Sequence, residues 1–463
     1  MVLLFFTSIY KKKYGIMIFL HLFDDDASFE ESYNGEEYKE PWVSLTEEND
    51  EVNYDKKKYE PLTFNILSDG EIGWKAYDSG STRTIQYSKN GGEWTDITSD
   101  TGGTNISVVT GDVLKFKGNT WPGSATTNYS QFTSTCVFAA SGNPGSLKYG
   151  EVTYGDEPLA NYCYFSMFNG CTGLTTAPEL PATTLTRSCY NNMFRSCTSL
   201  VTAPELPAAT LATYCYNNMF NGCTGLVTAP ELPATTMVDF CYQYMFSGCT
   251  SLTSAPELPA TTLAESCYSY MFGRCTSLTT APSVLPATTL ATKCYSYMFQ
   301  SCTSLTTAPE LPATTLGYQS YLFMFNSCTR LLSAPELPAT TLADNCCQSM
   351  FEGCTSLTTA PSVLPATTLK SSCYQRMFYG CRSLTSAPEL PATTLKTACY
   401  SYMFHSCASL NYVKCLATNA STTSYVSNWL NGVSSTGTFY KKTGATWSSG
   451  VSGIPTGWTV LEV

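Results

Sequence analysis

Residues Cys215 to Phe240 read CYNNMFNGCTGLVTAPELPATTMVDF, and the same pattern recurs along most of the chain. The first cysteine of the unit returns at Cys163, Cys189, Cys215, Cys241, Cys267, Cys294, Cys346, Cys373 and Cys399, with Ser320 standing in once. The second returns at Cys171, Cys197, Cys223, Cys249, Cys275, Cys302, Cys328, Cys354, Cys381 and Cys407. The step is 26 residues, or 27 where APSVLP replaces APELP at Ser283 and Ser362. A fixed period of this size is the signature of a repeat array, in which each unit covers its neighbour's apolar face.

Within one unit, Cys215, Met219, Phe220 and Cys223 have the spacing of a single helical face. The reading is a short helical turn, which Gly222 helps to end. Leu226 opens LVTAP, a β-branched stretch suited to a short strand. Pro230 and Pro233 then stop the strand, because proline cannot donate to a ladder. ATTM brings the chain back. Each unit is expected to be one coil of a solenoid, with a short helical turn on one side and a short strand on the other.

Blocks of the MFNGCTSL type followed by a proline-bounded strand resemble the BspA-like leucine-rich repeats of gut Bacteroidales, which also occur in proteins of their phages. The resemblance implies a leucine-rich-repeat solenoid of ten coils over residues 149–410. It also implies a surface or adhesion role, without an enzymatic activity or a cofactor. The regular APELPATTL segment departs from the common form of the family.

Around the array, residues 61–148 alternate apolar and polar side chains, with turn signals at Asp69-Gly70 and Asn90-Gly91-Gly92. They read as a β-sandwich of immunoglobulin-like type. Tyr149 to Tyr162 is expected to start the array as an atypical capping coil. Residues 411–463 read as a cap: a strand in YVKCLATN, a helix in STTSYVSNWLNG closed by Gly432, and a final hairpin, with Trp429, Trp447 and Trp458 over the open end. Residues 1–60 form an apolar, then acidic, segment. Lys11 to Lys13 followed by Gly15 to Phe23 suit either a signal peptide or a start codon placed too far upstream. Neither apolar run there is long enough to span a bilayer.

Composition narrows the function. The net charge of -11 argues against nucleic acid, whose phosphates need a basic surface. Histidine occurs only as His21 and His405, which removes many acid–base and metal sites. The 22 cysteines sit mostly at fixed repeat positions among Met, Phe and Leu. They are expected to be buried free thiols rather than disulfides or zinc ligands. Glu179, Glu205, Glu231, Glu257, Glu310, Glu336 and Glu389 share one repeat position and read as a solvated acidic stripe.

The units differ from one another mainly around the two cysteines. Asn191, Asn192, Arg195, Tyr244, Tyr270, Arg274, Tyr297, Gln375, Arg376, Tyr379 and Tyr402 occupy such positions, as do Glu352 and His405. On the outer side of the coils they would form a recognition face, with tyrosine planes suited to sugars or protein partners. The expected partner is a cell-surface glycan or protein, in a bacterial surface adhesin or a phage fibre. Oligomerisation would run through the N-terminal domain. The rival expectations are a purely structural spacer and, behind it, a carbohydrate-active enzyme.

Overall fold

The structure, a computed structural model, describes residues 7–12, 15–20, 57–154, 157–420 and 423–463. It divides into two compact units, residues 1–55 and 56–463. In the first, β1 (Thr7–Lys12) and β2 (Gly15–Leu20) pair as an antiparallel hairpin. The acidic run from Asp24 to Glu51 lies outside the described residues.

The second unit opens with β3 (Leu62–Ile66), β4 (Gly70–Ala76), β5 (Thr84–Lys89), β6 (Thr95–Thr98), β7 (Thr104–Val108), β8 (Val113–Lys117), β9 (Gly123–Ala125), β10 (Asn128–Ser134) and β11 (Phe138–Ser141). A one-turn helix α1 (Ser146–Tyr149) follows, and β12 (Leu174–Thr176) belongs to the first repeat. The strands form two sheets, in the orders β7-β4-β10-β9 and β12-β11-β3-β8-β5-β6. Their inner faces meet through rings: Phe132 of the first lies 4.9 Å from Phe64 and 5.0 Å from Phe116 of the second.

The repeats grow directly out of this core. β12 pairs in parallel with β11. The N–H groups of Gly123, Phe132 and Phe138 donate to Cys163, Met167 and Gly173. Phe132 stacks on Phe168 at 5.6 Å, and from there a ladder of buried phenylalanines runs to Phe404 with rings 5.5–5.6 Å apart. The first repeat is therefore covered by β10 and β11. In the stretch from Tyr149 to Tyr162 expected to start the array, Tyr162 already donates from its N–H to Arg187 of the next unit.

The expected helical turn is absent: among the described residues from 163 to 410 there is no helix. A run of tight turns takes its place. In one unit the N–H groups of Cys215, Asn217, Met219, Asn221 and Cys223 reach three residues back, to carbonyls 3.0–3.3 Å away. The intervening N–H groups of Tyr214, Tyr216, Asn218, Phe220 and Gly222 instead donate to the next unit, at Asp239, Cys241, Gln243, Met245 and Ser247. Every fourth residue turns left-handed: φ is 60° at Tyr214, 54° at Asn218 and 75° at Gly222. The pattern of fours that resembled a helical face is the pitch of this turn run.

The strand side is also leaner than expected. Past β12 the units meet there through isolated parallel bridges, such as Thr202↔Thr228 and Thr228↔Ser254. The prolines on either side remove the donors a longer strand would need. A second column bridges through the threonine pairs, as at Thr289↔Thr315 and Thr315↔Thr341. In the 27-residue units the extra serine is held from the unit before: Glu257 accepts from the N–H and Oγ of Ser283, and Glu336 from those of Ser362, at 2.8–3.1 Å.

The stacking continues past Leu410, where a helix and a hairpin were expected. Residues 423–425 form a 3-10 turn, and the carbonyls of Tyr425, Ser427, Trp429 and Asn431 accept from Tyr400, Tyr402, Phe404 and Ser406. This is the same turn run without its cysteines. β13 (Tyr412–Cys415), β14 (Thr438–Lys441) and β15 (Thr459–Glu462) pair in parallel, so no final hairpin forms. Trp429 is fully buried, donates from Nε1 to Gly453 at 2.8 Å, and stacks on Tyr400 and Trp447.

Candidate recognition face

The turn run sorts the side chains by its own geometry. The two residues after the first and second left-handed positions of a unit point inward, which buries Cys215 with Tyr216 and Met219 with Phe220; after the third, Cys223 is buried and Thr224 exposed. Ser166, Ser188, Ser266 and Ser349 aside, which are buried, the left-handed positions themselves reach the surface. They are the residue before the first cysteine, the third after it, and the residue before the second. These coincide with much of the variation among units.

Three residues after the first cysteine, Tyr244, Tyr270 and Tyr297 form one half-buried ladder that Phe323 completes. Ring centroids are 4.6, 4.2 and 4.9 Å apart, and the planes lie within 17° of parallel. Their φ values are 52–58°, a conformation that costs a bulky L-residue. The stacking corrects the expectation of free aromatic planes: each inner ring covers its neighbours' faces, so the ladder offers edges and hydroxyls. Burial pushes the Tyr270 hydroxyl above its ordinary pKa, and the neighbouring tyrosines add to it. Phe323 escaped the sequence reading because its unit has Ser320 in place of the first cysteine; counting three on from Ser320 finds it. Tyr214 and Phe240 make a second, shorter stack at 4.7 Å.

A different cluster forms further along. Arg376 clasps Glu352 of the preceding unit with Nη2 and Nε, at 2.8 and 3.1 Å. Its guanidinium lies 4.2 Å from the Tyr379 centroid and 5.9 Å from that of Tyr402. His405 stacks on Tyr379 at 4.8 Å. Asn431 donates from Nδ2 to His405 Nε2 at 3.2 Å, which leaves the proton on Nδ1, facing Ser406 Oγ at 2.9 Å. Burial, and then the charge of Arg376, lower the His405 pKa, so the ring is neutral at pH 7. The cluster combines a paired charge, a neutral imidazole and phenol edges.

The remaining expected residues scatter. Asn192 shares the column of the tyrosine ladder, while Arg195 and Arg274 are exposed near the second cysteine. Gln375 is half-buried. Asn191 does not belong to the face: it is buried, and its Oδ1 lacks a hydrogen-bond partner.

The other side of each unit carries the glutamates. Lys57 pairs with Glu179 at 3.4 Å and Lys414 with Glu389 at 2.9 Å, so the stripe is tied at its first and last members. All 22 cysteines are unpaired and buried. No group of three or more His, Cys, Asp or Glu among the described residues could hold a metal, and no described helix is long and apolar enough to cross a membrane.

Comparison with known proteins gives the family. The profile of the BspA type leucine-rich repeat region matches residues 161–279, 213–331, 240–376 and 319–429, together more than half of the chain. Curated proteins give no match. Among solved structures, a leucine-rich repeat protein from Bacteroides ovatus is similar at 17% identity and a TM-score of 0.32, over 55% of this chain and 69% of its own. A leucine-rich cell surface protein from Faecalibacterium prausnitzii is similar at 16% identity and a TM-score of 0.28, over 58% of this chain and 81% of its own. On the extent of the profile match, the chain belongs to the BspA-type leucine-rich repeat family.

Proposed function

We propose that this protein is a non-enzymatic binding protein displayed outside the cell, whose repeats form a ten-coil solenoid that recognises a cell-surface glycan or protein. One observation carries the reading. Positions that vary between otherwise uniform units gather into two surface groups, the Tyr244–Phe323 ladder and the Arg376–Tyr379–His405 cluster. In this reading the N-terminal strands form an immunoglobulin-like sandwich over residues 61–148 that caps and spaces the array. Residues 411–463 cap its other end. Family membership supports a binding or adhesion role, either on a bacterial surface or in a phage fibre.

The test is binding of the labelled chain to a panel of gut Bacteroidales cells and, in parallel, to mucin. Saturable binding that Arg376→Ala and Tyr297→Ala weaken tenfold or more supports the reading. Binding to particular strains that disappears with their capsule favours the phage setting; binding to mucin alone favours the adhesin. No saturable binding, or binding indifferent to both substitutions, leaves the array as a spacer.

A further inference from the structure

A second site lies away from the repeats, in the N-terminal strands. A groove of about 610 Å³ opens beside the edge of the larger sheet, between β5, β6, the end of β8 and the chain leaving α1. Its size suits a small ligand. The buried Ile85 lies at its base, and its polar groups are Gln86, Asp96, Lys117, Asn119 and Glu151.

These groups are held before any ligand arrives. Gln86 donates from Nε2 to Asp96 Oδ1 at 2.9 Å. Lys117 pairs with Glu151 at 2.7 Å and sits 4.1 Å above the Trp94 ring. The turn at residues 118–120 is tied to α1 by bonds from Gly118 to Ser146 and from Thr120 to Leu147, at 2.9 and 3.0 Å. A Cβ on Gly118 would stand 2.6 Å from the Leu147 carbonyl oxygen, so only glycine permits this approach.

The pairing decides what the groove can hold. The lysine is already neutralised by a carboxylate, so an anion would have to displace Glu151. Asp96 keeps its charge, since Gln86 is neutral, but with Glu151 it makes only two carboxylates, too few to hold a metal ion. What remains for a ligand is directional hydrogen-bonding capacity: Asp96 Oδ2, the Gln86 carbonyl, the Asn119 amide and the lone pairs of Glu151 beyond its bonds to Lys117 and Trp94. Carboxylate acceptors and amides set side by side match adjacent hydroxyl groups of an uncharged ligand.

We propose that this groove binds a neutral oligosaccharide, whose hydroxyls are taken by Gln86, Asp96, Asn119 and Glu151. Lys117 holds the Glu151 carboxyl below its ordinary range, so Glu151 meets the ligand as a hydrogen-bond acceptor. The N-terminal strands would then contribute a contact to the cell surface independent of the repeat face.

The experiment uses the full chain on an array of neutral oligomers of glucose, mannose, galactose and N-acetylglucosamine, with charged glycans alongside. At least one neutral oligomer is expected to bind. Gln86→Ala and Asn119→Ala should each weaken it about tenfold with no change in thermal midpoint, while Tyr297→Ala leaves it unchanged. Asp96→Asn, which keeps the shape of the side chain, should weaken it as well. The proposal is overturned if no neutral oligomer binds, if only charged glycans bind, or if the bound oligomer responds to Tyr297→Ala and not to the groove substitutions. Because the two sets of variants are separate, loss of this site leaves the repeat-face reading standing, and the reverse.

Discussion

The thiol of Cys223 lies 2.9 Å from the carbonyl oxygen of Phe194, one unit back, and donates to it. The same bond recurs at 3.0–3.2 Å at the other second cysteines, from Cys171 to Cys407. Cysteine at this position is both a small apolar filler and a donor to a carbonyl in the dry core. Cys223→Ala removes the sulfur and the bond together. It should destabilise the array by roughly 1–3 kcal/mol. Denaturant unfolding checks this, and an unchanged midpoint would show that the bond contributes nothing.

Burial pushes the Cys223 thiol up to about 12, and Cys249 rises in the same direction for the same reason. The folded thiol is protonated where the unfolded one, near 9, has begun to ionise. The stabilisation is therefore complete below pH 9 and drains away as the pH climbs from about 9 toward about 12. Unfolding midpoints should be flat from neutral pH to about 8.5 and fall steeply above it. Native protein should take up almost no iodoacetamide at pH 8, and all 22 thiols should react once unfolded. Ready labelling of the folded chain would contradict the buried ladders.

The outer ladder predicts a coupling. Tyr270 and Tyr297 stack at 4.2 Å while both hold a left-handed backbone. A double-mutant cycle to alanine should return an interaction of about 0.5–1.5 kcal/mol. Tyr297→Gly should restore part of the lost stability relative to Tyr297→Ala, since glycine pays no penalty at this φ. A cycle that sums to zero would mean that the rings merely lie side by side.

Phe132 joins the strands to the array, packed against Phe64, Phe116, Trp74 and Phe168. Phe132→Ala should cost about 3–5 kcal/mol. Hydrogen exchange should quicken first at Cys171 and Leu174, in the unit that Phe132 covers, and last near Phe404. Uniform acceleration along the chain would show that the array unfolds as one block.

The period, the register of the units and the buried positions were legible in the amino-acid sequence, because each face must repeat wherever its neighbour repeats. Recurrence of Cys, Met, Phe and Leu at fixed offsets marks the core without any knowledge of the backbone. The variable columns were visible as the places where that recurrence breaks. The turn run was not. Spacings of three and four also describe a helix, and the distinguishing sign is a left-handed residue at every fourth place. Asn218 and Gly222 hint at it, but Tyr214 and Tyr270 conceal it.

Such residues hold that conformation because alternate N–H groups bond to the next unit instead of along their own chain. That choice exists only once the units are stacked. The same dependence explains the C-terminal residues, where Val426 and Trp429 continue the turn run with none of its cysteines. It also explains the tyrosine ladder, whose planes are covered by rings 26 or 27 residues away. Composition and period set what is buried; hydrogen bonds and ring contacts between units set the backbone and the surface it presents.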